Sequence, residues 1–192
     1  MNLPNKLTLV RCALTPVFLL VLLWQFPFHY GLALALFAIA SLTDMLDGKI
    51  ARKQKLVTNL GKFLDPLADK ALTTAAYLGL MVIFGGDALC WATMIILARE
   101  FMVTSVRLLA AKDGVVVAAS MWGKAKTVTQ MGAVLYMLAA LQVMELLPAA
   151  VAVSLDDWVF GVGHLLIWVS VLLTVVSGIQ YVWALRHYFK EN

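Results

Sequence analysis

Apolar runs bounded by charged or turn residues recur along the chain at about 9 to 27, 31 to 46, 66 to 84, 89 to 110, 125 to 147 and 158 to 184. Each comes near the ~20 residues that an α-helix needs to cross the hydrocarbon of a bilayer. The pattern predicts an all-α, polytopic integral membrane protein with six transmembrane helices. A short interfacial segment, Met1 to Thr8, precedes them.

Lys6, Arg11, Lys49, Arg52, Lys53, Lys55, Lys62, Lys70, Lys112, Lys124, Lys126, Arg186 and Lys190 all fall on one side of that arrangement. The loops of the other side, around Gln25 to Tyr30, Gly85 to Asp87 and Glu145 to Asp157, hold neither Lys nor Arg. Because Lys and Arg are retained on the cytoplasmic side during insertion, both termini are expected there.

Composition agrees with this class: 62% of the residues are hydrophobic and 14% charged, with a mean hydropathy of +0.89. Those values exclude an ordinary soluble domain. Spans and short loops consume nearly all of the 192 residues, so residues 1–192 are expected to form a single membrane domain. The formal net charge of +4 does not imply nucleic acid as a partner, because the cations line one membrane face, where anionic membrane lipids are their natural counterions. Cys12 and Cys90 lie near opposite ends of their spans and are expected to be free thiols. The first apolar run is long enough to span and lacks a small-residue cleavage site, so it reads as a retained helix.

One segment breaks the apolar rhythm. Between Asp44 and Asp69 the chain reads DMLDGKIARKQKLVTNLGKFLDPLAD, which places four carboxylates at the junction of two apolar stretches. Clustered carboxylates repel one another and take up protons unless cations compensate them. An all-oxygen donor set suits Mg²⁺ or Mn²⁺. Asp44 and Asp47 are three residues apart and Asp65 and Asp69 four, so each pair shares roughly one helix face. Pro66 suits a first helical turn, which predicts a helix starting near Asp65. A carboxylate cage between two helices would then balance two divalent ions, the composition of a two-metal phosphoryl-transfer site.

The complete spacing is D-x2-D-G-x2-A-R-x8-G-x3-D-x3-D, with Asp44, Asp47, Gly48, Ala51, Arg52, Gly61, Asp65 and Asp69 at its fixed positions. It resembles, without a gap or substitution, the signature of the CDP-alcohol phosphatidyltransferases. The resemblance implies transfer of a phosphatidyl group from CDP-diacylglycerol to an alcohol, with CMP leaving. By that resemblance Asp44 and Asp65 bridge two Mg²⁺ or Mn²⁺ ions, and Asp47 binds one of them. Asp69 binds the other and accepts the alcohol proton as general base. Gly48, Ala51 and Gly61 leave room for the donor, Arg52 grips phosphate, and Thr58, Asn5 and Thr8 match further contacts to the CDP moiety. A homodimer is implied by the resemblance alone.

The acceptor is read from the second half. Arg99 lies near mid-membrane in LAREFMVTSVRLL, beside Glu100 and two turns before Arg107, and GKAKT adds Lys124 and Lys126. Two readings stay open for these cations: a buried ion-pair network, since Glu100 and Arg107 fall on nearly one helix face, or a pocket for an acceptor that carries phosphate. LARE and AASMWGKAKTVTQ look like the bacterial branch of the family that forms phosphatidylglycerol phosphate from glycerol 3-phosphate. That branch implies a bacterial cytoplasmic (inner) membrane protein with its active site facing the cytoplasm. Inositol phosphate, serine or phosphatidylglycerol are the competing acceptors. A small cation transporter is the competing class, because intramembrane acids also mark ion pathways. His164 has no ligand partner at useful spacing and reads as a packing residue.

Overall fold

The computed structural model describes residues 3–54, 59–112, 120–184 and 186, with side chains left undescribed at 3–7, 44–54, 59–67, 69, 109, 111 and 112. Six helices make up the described residues, with no strand among them: α1 (Leu3–Leu23), α2 (His29–Gln54), α3 (Asn59–Phe84), α4 (Asp87–Lys112), α5 (Met121–Leu146) and α6 (Ala149–Ala184). The breaks between them have local causes. Gly85 and Gly86 both take positive φ (65° and 83°), a conformation open to a residue without Cβ, and they turn α3 into α4. Ser120 caps α5, its Oγ accepting from Gly123 N at 3.1 Å. Pro148 O takes up the N–H groups of Val151 and Ala152 at the start of α6.

α1 packs on α2 and α3, α5 on α6 and α2, and α4 on α6 and α3. The core lies where these contacts converge. Phe18 and Leu22 of α1, Phe37 of α2, Tyr77 and Leu80 of α3, Met137 and Leu138 of α5 and Ile167 of α6 are fully or almost fully buried. Phe18 and Phe37 meet at 5.7 Å between ring centroids. Glycines allow the closest approaches: a Cβ on Gly163 would lie 2.1 Å from Met137 Sδ, and one on Gly79 would lie 2.4 Å from Leu22 Cδ2.

The outer surface is apolar, with Trp158 78% and Trp183 68% exposed, while Ser170, Thr174 and Ser177 are wholly buried. Apolar outside with polar groups paired inside is what a hydrocarbon solvent favours. Asp87–Leu108, Met121–Leu146 and Ala149–Ala184 are each long and apolar enough to cross a membrane. Over the described side chains, Thr8–Leu23, His29–Thr43 and Lys70–Phe84 are shorter apolar helices. The chain is therefore a helical membrane protein, with three helices long and apolar enough to span among the described residues.

Several boundaries differ from expectation. α3 starts at Asn59 rather than near Asp65, so Pro66 falls two turns inside it. α6 starts at Ala149 rather than 158. α1 runs unbroken from Leu3, so residues 3–8, expected as an interfacial segment, continue without a break into the first apolar run. Charged and turn residues mark breaks in the apolar pattern, but the backbone stays helical through Lys62 and through Asp156 and Asp157. Both cysteines are free.

Candidate functional site

The signature occupies the facing ends of α2 and α3. Asp44, Asp47, Gly48, Ala51 and Arg52 lie on α2, and Gly61, Asp65 and Asp69 lie on α3. Their side chains lie outside the described residues, as does that of Asn5 on α1, and Thr58 is outside altogether. The expected carboxylate cage thus rests on the helical placement of its members. Among the described residues no group of three or more metal-binding side chains occurs. Polar groups of α1 are drawn inward, with Thr8 4% and Arg11 5% exposed. Ser41 Oγ is buried with no hydrogen-bond partner among the described residues.

The acceptor candidates divide. Glu100 of α4 sits between two cations, with Arg99 Nη1 donating to its Oε1 at 3.2 Å and Lys126 Nζ of α5 donating to the same oxygen. The side chains of Arg99, Glu100 and Lys126 are only 10%, 17% and 5% exposed. Among the described side chains here the three formal charges sum to +1, and Arg99 Nε has no hydrogen-bond partner among the described residues. A cluster with surplus positive charge and a spare donor is suited to receive an anion.

Arg107 is elsewhere. Its Nε donates to Tyr181 Oη at 2.7 Å, and its guanidinium lies 5.0 Å from that ring's centroid. It is not an ion-pair partner of Glu100, although the two share a helix face. Tyr181 had no signal in the sequence, since only the packing of α4 on α6 brings it to Arg107. Lys124 is exposed while Lys126 is buried, because two residues on a helix turn through about 200°.

A polar seam continues inward from Lys126. One turn along α5, Gln130 Nε2 donates to Thr174 Oγ1 of α6 at 3.2 Å. Deeper, Tyr77 Oη and Ser170 Oγ meet at 3.3 Å. Such interhelical bonds contribute about 0.6 to 2 kcal/mol each in membranes, so the seam fixes α5 against α6 and holds Lys126 in register. His164 behaves as a packing residue: Nδ1 donates to Phe160 O at 2.8 Å, and the ring stands edge-on to Phe84 at 5.7 Å.

Comparison with known proteins bears on both halves of this arrangement. Residues 1–176 match the family model described as CDP-alcohol phosphatidyltransferase. A Bacillus subtilis protein named CDP-diacylglycerol--glycerol-3-phosphate 3-phosphatidyltransferase is 44% identical, with 94% of this chain and 93% of the relative covered. A Rickettsia bellii protein of the same name is 37% identical over 98% of this chain and 97% of its own length. A Mycobacterium tuberculosis protein named probable phosphatidylglycerophosphate synthase is 39% identical, covering 94% of this chain and 80% of the relative.

Proposed function

The chain belongs to the CDP-alcohol phosphatidyltransferase family, and from that premise we propose that it transfers the phosphatidyl group of CDP-diacylglycerol to glycerol 3-phosphate. The products are phosphatidylglycerol phosphate and CMP. The observation that carries this reading is the near end-to-end similarity to relatives named for that reaction, in a chain whose signature is complete.

The primary hydroxyl of glycerol 3-phosphate attacks the phosphorus that bears the diacylglycerol. A phosphorus–oxygen bond forms, the bond to CMP breaks, and the hydroxyl proton passes to Asp69 as general base. The family is divalent-metal dependent, and the donor set here is all carboxylate oxygen, which fits a hard cation. Asp44, Asp47, Asp65 and Asp69 would hold two Mg²⁺ or Mn²⁺ ions, whose positive charge neutralises the attacked phosphate and the departing CMP. Gly48, Ala51 and Gly61 let the donor approach the backbone. Arg52, Thr58, Asn5 and Thr8 orient its CDP moiety.

Arg99 and Lys126 take the acceptor phosphate, with Glu100 holding both in place, and Arg107 and Lys124 add charge at the approach. A phosphorylated acceptor matches this cation surplus better than free serine does. The whole chain acts as one domain with six crossings. It lies in the bacterial cytoplasmic membrane with both termini and the signature in the cytoplasm, as the one-sided Lys and Arg favour. It works as a homodimer by family resemblance.

Purified protein given CDP-diacylglycerol, Mg²⁺ and labelled alcohols should release CMP with glycerol 3-phosphate. A preference for inositol phosphate, serine or phosphatidylglycerol would reassign the acceptor. Ion flux in proteoliposomes without CMP release would overturn the enzyme class.

A further inference from the structure

A groove of about 620 Å³ runs between α4 and α6, neither of which carries the signature. Its lining is apolar except for Arg99 and Arg186. Gly178 sets its floor, since a Cβ there would lie 3.1 Å from Arg99 Cγ. The stem of Arg99 therefore lies on the α6 backbone, and its guanidinium turns inward to Glu100. At the end of α6, Arg186 lies 4.9 Å over the ring of Trp183, which is 68% exposed. A Trp and Arg pair of this kind is at home at the level of lipid headgroups.

An apolar slot of this size in a bilayer is filled by lipid or by another helix. Its charge decides between them. Arg99 supplies a nine-tenths buried cation beneath the slot, its Nε without a partner among the described residues, and Arg186 supplies an exposed cation at the mouth. Among the described residues a second copy of this chain offers no exposed acid at the level of Arg186. Among the described residues the exposed or half-exposed acids Asp87, Glu145, Asp156 and Asp157 lie at the opposite end of the bundle, at the starts of α4 and α6 and the end of α5. A lipid with an anionic head and an apolar tail matches both parts of the slot.

We propose that the α4–α6 groove binds one anionic phospholipid, its phosphate against Arg186 and an acyl chain lying along Gly178 and Ile179 over the stem of Arg99. The site is separate from the helices that carry the signature, so this lipid is a resident ligand rather than the nucleotide-bearing donor.

The test is native mass spectrometry of the full chain in mild detergent with an equimolar mixture of dioleoylphosphatidylglycerol and dioleoylphosphatidylcholine. One phosphatidylglycerol should stay bound per chain, in about fivefold preference over phosphatidylcholine, which is the gain from one interfacial cation. Arg186→Gln should bring the ratio close to one, and Ile179→Trp, which fills the slot, should displace both lipids. Equal retention of the two lipids by the unaltered chain overturns the proposal, as does a pattern that neither substitution changes. An Ile179→Cys chain that forms a disulfide-linked dimer in vesicles of the same two lipids, where the parent chain forms none, would put a second copy in the groove and overturn it too.

Discussion

Lys126 on α5 donates to Glu100 on α4, so one ion pair joins two helices whose backbones scarcely touch. The carboxylate holds Arg99 through the same oxygen. Two cations from different helices are thus kept within reach of one anion, and Glu100 acts as a positioning residue for both.

Replacing Glu100 by Gln keeps the shape and removes the carboxylate that two largely buried cations share. Breaking a buried pair in this way costs about 3–5 kcal/mol, and thermal unfolding in detergent should show a clearly lower Tm. Glu100→Gln combined with Lys126→Met removes one stranded charge and should recover part of that loss. A single substitution with an unchanged Tm would mean that the pair is not held as the geometry indicates.

Lys126→Met and Lys124→Met separate the buried lysine from its exposed neighbour. A hydrogen bond to a charged group is worth about 1.5–3 kcal/mol, so Lys126→Met should raise KM for glycerol 3-phosphate by roughly 10- to 150-fold. Lys124→Met should change it less than about threefold, as an exposed cation does. Arg99→Ala should follow Lys126→Met, and an unchanged KM there would reduce the cluster to a structural network.

Asp69→Asn should lower CMP release by about 10²- to 10⁴-fold, the usual worth of a positioned base. Asp44→Asn and Asp65→Asn should abolish turnover by weakening the metal site. EDTA should silence the unaltered enzyme and Mg²⁺ restore it, and calorimetry should count two ions per chain. Catalysis that survives chelation would remove the metal-based reading.

Glycine packing gives a prediction independent of catalysis. A Cβ on Gly163 meets Met137 Sδ at 2.1 Å, whereas one on Gly161 has nothing within 4 Å. Gly163→Ala should destabilise by about 1–3 kcal/mol through overpacking. Gly161→Ala should be neutral or slightly stabilising, since it only lowers the freedom of the unfolded chain. Equal Tm values for the two variants would contradict the packing of α5 on α6.

The helical class and the order of the apolar segments were legible because hydropathy reports burial in lipid directly. Helix ends were not: Asp156 and Asp157 read as a loop although α6 runs through them from Ala149, and α3 begins at Asn59, ahead of its apolar run. The signature was legible as a spacing, and its members fall on α2 and α3. Lys124 and Lys126 read alike in the sequence and only the fold divides them, one exposed and one buried, and the partners of Arg99, Arg107 and Lys126 depended on packing between distant helices. No local pattern links Arg107 to Tyr181, 74 residues away. Helical register placed Glu100 and Arg107 on one face, but Arg107 reaches across to α6 while Glu100 reaches α5.

α6 has 36 residues, about 54 Å of rod against about 30 Å of hydrocarbon. Asp156 and Asp157, exposed in its N-terminal turns, make that end of the rod the one suited to stand clear of the bilayer. A nanobody raised against that projecting stub would give an otherwise featureless 21.1 kDa particle a fiducial for electron cryomicroscopy, gripping it at the opposite end of α6 from Arg186.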